Sequence, residues 1–405
     1  MNYVASRTLT APSTRTGLKN ILTLRANGRD ITGWQSIRVT RRMLGCPSDF
    51  DIGLTERYPS EASAILIEPG QPCEVLLDGD VVLTGYIDRY AGAISPRQHQ
   101  VRVVGRSKCE DVVDCHITPT HLQGMQIVTS SLLELANRLC APYGITAKSL
   151  TGDNIPLAPP TGGGPLRFNA ILTETPFEII ERVARYAGVL VYDDADGNLV
   201  FANVGTSTMA SGFALGVNVQ NASCTFSMDG RFSDYLPCLM SVNFYGDRGV
   251  GGVPFPRVYD KGVPRFRERI VVSEQFVPGS SLAEKRARWE MARRFGQSQA
   301  VRLTCDSWRD SAGTLWQPNA FAPLDLPALK LSPSDPWVIG EVTYSMDQDR
   351  GTTADLMLMP KDAFLPEPNI LTPFLSDPDT RPPLAGGGAA RTGAEGAGIG
   401  GGSLG

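Results

Sequence analysis

Two stretches of short hydrophobic runs, broken by tight-turn dipeptides, constrain the fold of this chain more than any other feature. In residues 18–118, apolar and polar residues alternate, and the runs are interrupted at Asn27-Gly28 and Asp78-Gly79. Such dipeptides between alternating runs are a strong sequence signal of a β-hairpin. The pattern predicts six or seven short strands in a small antiparallel barrel or sandwich. A similar β pattern returns in residues 222–247 and 300–360.

The segment between these stretches has the hydrophobic period of a helix. Capping boxes at residues 131–134 and 175–178 each open an amphipathic helix, and the second carries proline at its first helical position. The helices and the glycines that follow them, Gly144 and Gly188, match at an offset of 44 residues. We therefore predict a small α+β domain with two helix–strand units over residues 119–215.

A second internal match connects the two β stretches. Four positions on the last two predicted strands of each stretch agree at a constant offset of 255 residues, as expected for a duplicated barrel. The pairs are Gly85 with Gly340, Ile87 with Val342, Val101 with Leu356, and Val103 with Leu358.

Composition excludes several classes of protein. Hydrophobic residues make up 42% of the 405 residues and charged residues 20%, which is typical of a globular protein and not of a disordered chain. The formal net charge of -4 argues against a global basic field for nucleic acid. We expect no transmembrane helix and no signal peptide, and therefore synthesis in a cytoplasm. Eight cysteines are ordinary for a reduced protein.

Cysteines and histidines cluster at Cys109, Cys115, His116 and His121. Zinc sites need four ligands at characteristic spacings, and this spacing fits them poorly. We interpret the cluster as buried thiols and surface histidines at a domain junction, and we predict no metal site.

Other candidate motifs also have simpler interpretations. Asp193, Asp194 and Asp196 precede Gly197, but the spacing departs from a calcium loop and favours a hairpin turn. The glycines at 162–164 lack the residues that complete a phosphate loop. The Gly-x-Ser-x-Gly motif at 401–405 lies in a glycine-rich tail, where a nucleophile elbow is not expected. No acidic pair is singled out for glycosidase chemistry, and we predict no catalytic and no cofactor-binding residues.

One predicted helix is strongly basic. It begins with a capping box at Ser281 and runs to about Phe295. Its basic residues are Lys285, Arg286, Arg288, Arg293 and Arg294. They form either a solvated face, or a surface that faces an acidic partner or nucleic acid in a channel.

Several segments, in order and spacing, resemble the baseplate hub proteins of phage Mu and its relatives, a family related to late control protein D. The similarity extends over about residues 20–360. The segments that carry it are 22–34, 37–41, 50–57, 69–75, 85–88, 101–106, 111–115, 176–201, 316–319, 337–342 and 356–359.

The resemblance implies a mainly β fold with α+β insertions: two tube-like antiparallel β-barrels, the second split by an insertion, plus the small α+β domain. Pattern and resemblance together predict an N-terminal extension (1–17), a first barrel (18–118), the α+β domain (119–215), a second barrel (216–247 plus 300–362) and an insertion with the basic helix (248–299). Composition predicts a Pro-rich then Gly-rich flexible tail (363–405), whose Gly-rich part has no match in the family.

The resemblance also implies a function without catalysis. Family members form a homotrimeric ring in the baseplate of a contractile tail, which adapts the sixfold tail tube to the threefold central spike. The implied partners are other copies of the chain, the spike, tail tube or tube-initiator proteins, the tape-measure protein and other baseplate proteins. DNA would pass through the channel without specific binding, so the channel wall should not be strongly basic. The expected location is the virion baseplate, after assembly in the host cytoplasm.

Three alternatives remain open at the level of sequence. A hub or spike component of a tailocin or secretion machine would share the fold and the trimer. A cell-wall glycan hydrolase would instead show turnover on peptidoglycan. A carbohydrate-binding module is the third.

Overall fold

A computed structural model provides the structure of the chain. It describes residues 20–55, 67–95, 98–118, 125–152, 154–157, 164–240, 253–254, 256–274, 282–335 and 337–368. The predicted N-terminal extension, Ser281, His121 and the Gly-rich tail lie outside these residues.

The described residues form twenty-four strands and four α-helices. The first β region contains β1 (Leu22–Ala26), β2 (Arg29–Ile31), β3 (Ser36–Arg42), β4 (Asp49–Thr55), β5 (Pro72–Leu77), β6 (Asp80–Ser95) and β7 (Gln98–Ser107). The middle region contains α1 (Glu110–Asp114), β8 (Gln126–Thr129), α2 (Leu132–Cys140), β9 (Ala147–Ser149), β10 (Leu166–Asn169), α3 (Pro176–Ala187), β11 (Leu190–Asp193) and β12 (Leu199–Ala202). The remainder contains β13 (Ser207–Thr208), β14 (Phe213–Ala214), β15 (Val219–Phe226), β16 (Asp234–Met240), β17 (Val253–Pro254), β18 (Val258–Tyr259), β19 (Glu268–Glu274), α4 (Leu282–Gln297), β20 (Gln299–Cys305), β21 (Ala320–Phe321), β22 (Leu324–Asp325), β23 (Trp337–Asp347) and β24 (Gly351–Pro360).

The two β regions are joined into one sheet. Its strand order is β15-β20-β24-β23-β3-β4-β7-β6-β5-β1-β2, and β13 and β21 attach beside this path. The junction is the antiparallel pairing of β3 with β23, in which Arg42 lies opposite Glu341. One continuous core of buried apolar residues contains side chains from both regions. The mainly β fold expected from the sequence is confirmed, and the seven strands of the first region match the predicted number.

The register of the two long hairpins corrects the predicted 255-residue match. β6–β7 and β23–β24 are both antiparallel hairpins at the predicted places. However, Ile87 lies opposite Gly105, 18 residues further on, whereas Val342 lies opposite Leu356, 14 residues further on. The first hairpin is therefore four residues longer than the second. A single offset of 255 residues cannot align both strands of the first hairpin with both strands of the second. The predicted matches of Ile87 with Val342 and of Val101 with Leu356 therefore cannot both be right.

The α+β region has both predicted helix starts and the predicted stop of α3, whereas α2 ends at Cys140 and Gly144 ends the 3-10 turn that follows it. The Ser131 side chain accepts a hydrogen bond from Glu134 N, and Thr175 and Glu178 form a complete capping box. Gly188 ends α3 in the left-handed conformation that favours glycine. Both helices bury one apolar face in a second core, which also contains residues of β11 and β12.

We expect Thr175→Ala to lower the free energy of unfolding by about 1 kcal/mol, because it removes a side chain that satisfies a helix N-terminal N–H group. Thr175 Oγ1 lies 3.2 Å from Glu178 N. Chemical denaturation monitored by circular dichroism measures the change, and Thr175→Ser serves as the control that keeps the cap. Equal stability of the alanine variant and the wild type would contradict this role.

Three predicted boundaries differ from the structure. Strand β16 was assigned to the second barrel (216–247), but it pairs with β17, β18 and β19 of the insertion, and Tyr235 packs with the helix α4. Strands β13 and β14, assigned to the α+β domain, pair with β21 and β22. Helix α1, assigned to the first barrel, packs in the core of the α+β region through Val112. The local sequence gives no sign of these contacts, because each joins segments far apart in the chain.

Candidate assembly surface

The central sheet has one apolar and one polar face over eight consecutive strands, from β15 to β6. Alternate side chains, such as Val39, Ile52 and Val103, are buried in the core. The intervening positions point to the other side and are mostly polar or charged. We call this side the polar face; its members include Ser223, Arg302, Thr304, Asp355, Thr343, Glu341, Arg38, Thr40, Arg42, Asp49, Asp51, Arg102 and Arg106.

Arginines on the polar face are paired with carboxylates of neighbouring strands. Arg38 Nη1 lies 2.7 Å from Asp49 Oδ1, and Arg42 Nε lies 3.0 Å from Glu341 Oε2. Arg102 pairs with Asp51, and its hydrogen bond holds the pKa of that carboxyl below its usual value. Because these positive charges are locally balanced, this part of the face is not a basic track for phosphates.

The eight-strand stretch ends in two strand edges without a described neighbour. Apart from a single bridge between Val219 and Leu215, strand β15 pairs with β20 on one side only. On β6, β5 covers the first half and ends opposite Tyr86, so residues 88–94 have β7 on one side and no described strand on the other. β15 contains no charged residue and no proline, the features that usually protect an exposed edge.

An acidic cluster lies at the start of the free stretch of β6. It consists of Asp88, Glu110, Asp111 and Asp114, which surround Arg106. Arg106 Nε lies 2.7 Å from Asp88 Oδ2, and its Nη2 lies 2.9 Å from Asp114 Oδ2. Glu110 is 8% exposed; its Oε2 lies 3.0 Å from Arg106 Nε but makes no hydrogen bond with the described residues. Burial, and then the charge of Asp88, raise the pKa of Glu110 to about 8.

We expect the stabilising effect of Glu110→Gln to grow as the pH rises. Above the unfolded pKa of Glu110 and below its native pKa of about 8, the native state holds a proton that the unfolded state has lost. Stability of the wild type therefore falls with pH through this window, whereas glutamine does not titrate. The variant should gain about 1–3 kcal/mol relative to wild type between pH 5 and pH 9. Urea unfolding at both pH values measures this, and a pH-independent difference would contradict it.

The basic helix α4 is largely neutralised by contacts within the chain. Arg286 lies 2.5 Å from Glu367, and Arg288 and Arg294 pair with glutamates four residues earlier. Arg293 Nη1 donates to Leu365 O. The structure thus shows intrachain partners for most of these cations.

Cys109, Cys115 and His116 of the cysteine–histidine stretch flank α1, whereas His121 lies outside the described residues. Cys109 is buried and its Sγ donates to Gly197 O, whereas Cys115 and His116 are exposed at the end of α1. Within the residues that the structure describes, no group of three or more histidine, cysteine or acidic side chains is arranged to hold a metal ion.

The acidic residues that hinted at calcium belong to a hairpin turn, as predicted. Gly197 N donates to Asp194 O, and Asp194 Oδ2 and Asp196 Oδ2 both contact Lys148 Nζ. Asp193 is buried and accepts hydrogen bonds from the backbone N–H and hydroxyl of Ser48, at 2.9 Å each. It therefore holds the α+β region against the first β region.

A cavity of about 530 Å³ lies where α3, α4 and the end of the described chain meet. Its walls include Phe177, Arg185, Trp289 and Phe364. Trp289 Nε1 donates to Leu365 O at 2.8 Å. In the described part of the chain, no helix is long and apolar enough to cross a membrane.

Three family models match the chain in succession. Residues 21–107 match the N-terminal domain of Mu phage baseplate assembly protein GpP-like proteins, and residues 109–203 match the second domain of baseplate hub protein gp44-like proteins. Residues 279–367 match the fourth domain of Mu phage baseplate assembly protein GpP. The chain belongs to the family of Mu-like phage baseplate hub proteins. This confirms the resemblance drawn from the sequence.

Similar proteins agree with this assignment. The baseplate hub protein gp44 of Escherichia phage Mu is 28% identical over 358 residues, which cover 86% of this chain and 90% of gp44. The crystal structure of the 43 kDa tail protein of prophage MuSo2 from Shewanella oneidensis superposes with a TM-score of 0.71 at 28% identity, covering 86% of this chain and all of that one. A component of the Escherichia coli type VI secretion system shares the fold, with a TM-score of 0.52 at 11% identity, over 83% of this chain and 76% of its own.

Sequence reasoning missed the acidic cluster and the two free edges. Glu110, Asp111 and Asp114 follow a strand that contains Arg106, and this spacing could have drawn attention to the cluster. The free edges of β15 and β6 leave no signal in the local sequence, because an edge is defined by which strands pair with each other.

Proposed function

We propose that this hub protein forms a homotrimeric ring that encloses the tail channel and adapts the sixfold tail tube to the threefold spike. The observation that carries the proposal is the pair of free edges at the two ends of the eight-strand stretch. Residues 88–94 of β6 and the eight-residue β15 have similar lengths. Exposed edges of this kind are stabilised when another chain pairs with them.

The directions of the strands permit head-to-tail closure. All seven pairings from β15 to β6 are antiparallel, so these two outer strands run in opposite directions. β15 of one copy can therefore pair antiparallel with β6 of the next copy and continue the sheet. Such a heterologous contact uses two different surfaces and produces a ring when the rotation closes.

The width of the closed sheet favours three copies over two. At about 4.8 Å between strands, eight strands from each of three copies give a backbone ring roughly 37 Å across, and strand tilt widens it further. Side chains leave a lumen on the order of 25 Å, wide enough for a DNA duplex. Two copies would leave on the order of 12 Å by the same spacing.

The polar face supports the role of a channel wall. The opposite face is filled by the core, so the polar face lines the lumen in this arrangement. Its ion pairs, such as Arg38–Asp49 and Arg42–Glu341, balance the local positive charge. DNA and the tape-measure protein would then pass without being held by their charges.

The remaining surfaces would contact the spike, tube or tube-initiator proteins and other baseplate proteins in the virion. We propose no catalytic step for this protein. The shared fold of a secretion-system component supports one alternative, in which the same ring serves a tailocin or secretion machine. The alternative of a glycan hydrolase has no such support, and it would require measured turnover on peptidoglycan.

Cysteine cross-linking tests the ring directly. Cys224 lies on β15, and residues opposite each other on paired strands have the Cα separation that a disulfide requires. In a Cys115→Ser background, single cysteines at positions 90, 91, 92 and 93 of β6 are oxidised and analysed by mass on denaturing gels. We expect one or two positions to give covalent trimers. Cross-linking at none of the four would contradict β15–β6 pairing.

A further inference from the structure

The acidic cluster carries more negative charge than Arg106 balances. Four carboxyl groups surround one guanidinium; Glu110, with its raised pKa of about 8, adds little charge at neutral pH, but Asp88, Asp111 and Asp114 still exceed the single positive charge of Arg106. The side chain of Glu110 is nine-tenths buried, and its Oε2 lies 3.0 Å from Arg106 Nε without a hydrogen bond from the described residues. Asp114 is 53% exposed, so the cluster is open on one side. A cluster built in this way accommodates a further positive charge from outside the chain.

The insertion provides an excess of positive charge. Residues 248–299 contain eleven lysines and arginines against five acidic residues, a formal charge of +6 in a chain whose total is -4. Most of its described arginines have partners, as shown for α4. Lys261 and Arg265 are exposed and make no ion pair with the described residues.

The topology places these two features at the same end of the proposed ring contact. β15 runs from Val219 to Phe226, and the insertion strands follow its C-terminal end. Arg231 holds Asp260, the neighbour of Lys261, through contacts of 2.8–3.0 Å. When β15 pairs antiparallel with β6, its C-terminal end lies beside the start of the free stretch of β6, where the acidic cluster begins.

We infer that the acidic cluster of one copy receives Lys261 and Arg265 of the neighbouring copy. This inference rests on the proposed ring and assigns a second, electrostatic contact beside the strand pairing. The occupant of the acidic cluster is thus a second copy of this chain, selected by charge complementarity and by continuity with the free edge. The same contact covers Phe226 and Met228, apolar side chains that are 57% and 42% exposed in one copy.

A charge swap tests the contact in the full chain. The variants are Lys261→Glu with Arg265→Glu, Asp114→Lys, and all three changes combined; Lys361→Glu, an exposed site on another segment, is the matched control. Sedimentation equilibrium measures trimer dissociation, and thermal unfolding verifies that each variant folds. We expect either partial variant to weaken association about tenfold or more, the combined variant to recover most of the loss, and the control to match wild type.

The outcomes separate this inference from the ring itself. A wild-type trimer whose association is unaffected by any of these charge changes overturns the electrostatic contact and leaves the ring standing. Weakening without recovery in the combined variant also overturns the pairing of these particular groups. A wild-type chain that is monomeric at all concentrations overturns the ring, and the electrostatic contact with it.

Discussion

Trp316→Ala is expected to lower the free energy of unfolding by about 3–5 kcal/mol, the largest effect of any single core substitution considered. Trp316 is completely buried, its indole N–H donates to Ser307 O at 2.9 Å, and its ring centroid lies 4.3 Å from that of Phe213. Alanine leaves a cavity, and the backbone oxygen of Ser307 loses its donor.

Denaturant unfolding of Trp316→Ala and Trp316→Phe measures this effect. Phenylalanine keeps most of the volume and the aromatic contact, so we expect a smaller loss of about 1–2 kcal/mol. A loss below about 1 kcal/mol for alanine would show that the core around Phe213 rearranges freely and that the packing described above is not rigid.

A proline in the edge strand β15 is expected to weaken the trimer with little effect on the monomer where the lost N–H group points away from β20, and to destabilise the fold where it points towards β20. Backbone N–H groups of successive strand residues point alternately towards β20 and away from it. Proline removes the N–H group, so Ala222→Pro and Ser223→Pro affect opposite sides of β15. One variant should weaken association on the order of tenfold or more per interface, and the other should destabilise the fold.

Sedimentation equilibrium and thermal unfolding of both variants provide the comparison, each variant serving as the control for the other. If both variants form trimers as tight as the wild type, β15 is not part of the subunit interface. The result then requires a different closing contact, even though the chain remains a hub protein.

Sequence reasoning succeeded where the determinants are local. The capping boxes at Ser131 and Thr175, the stop at Gly188 and the turn at Gly197 all depend on residues within a few positions of each other. The capping side chains satisfy N–H groups at the helix start, and glycine adopts the left-handed conformation at the stop, so both features leave a readable signal.

Contacts between distant segments could not be predicted in the same way. The pairing of Arg42 with Glu341 joins strands almost three hundred residues apart. The parallel pairing of β16 with β19 shows that β16 belongs with the insertion and not with the second barrel. Strand periodicity indicates which side chains are buried, but it does not identify the neighbouring strand. The free edges and the acidic cluster follow from that pairing, which is why the candidate site was the least predictable part.

The mass of the purified full-length protein in solution, measured by light scattering over a range of concentrations, tests the central claim most directly. The ring predicts a species of three times 43.6 kDa that persists on dilution. A monomer at every concentration would contradict closure through the edges of β15 and β6.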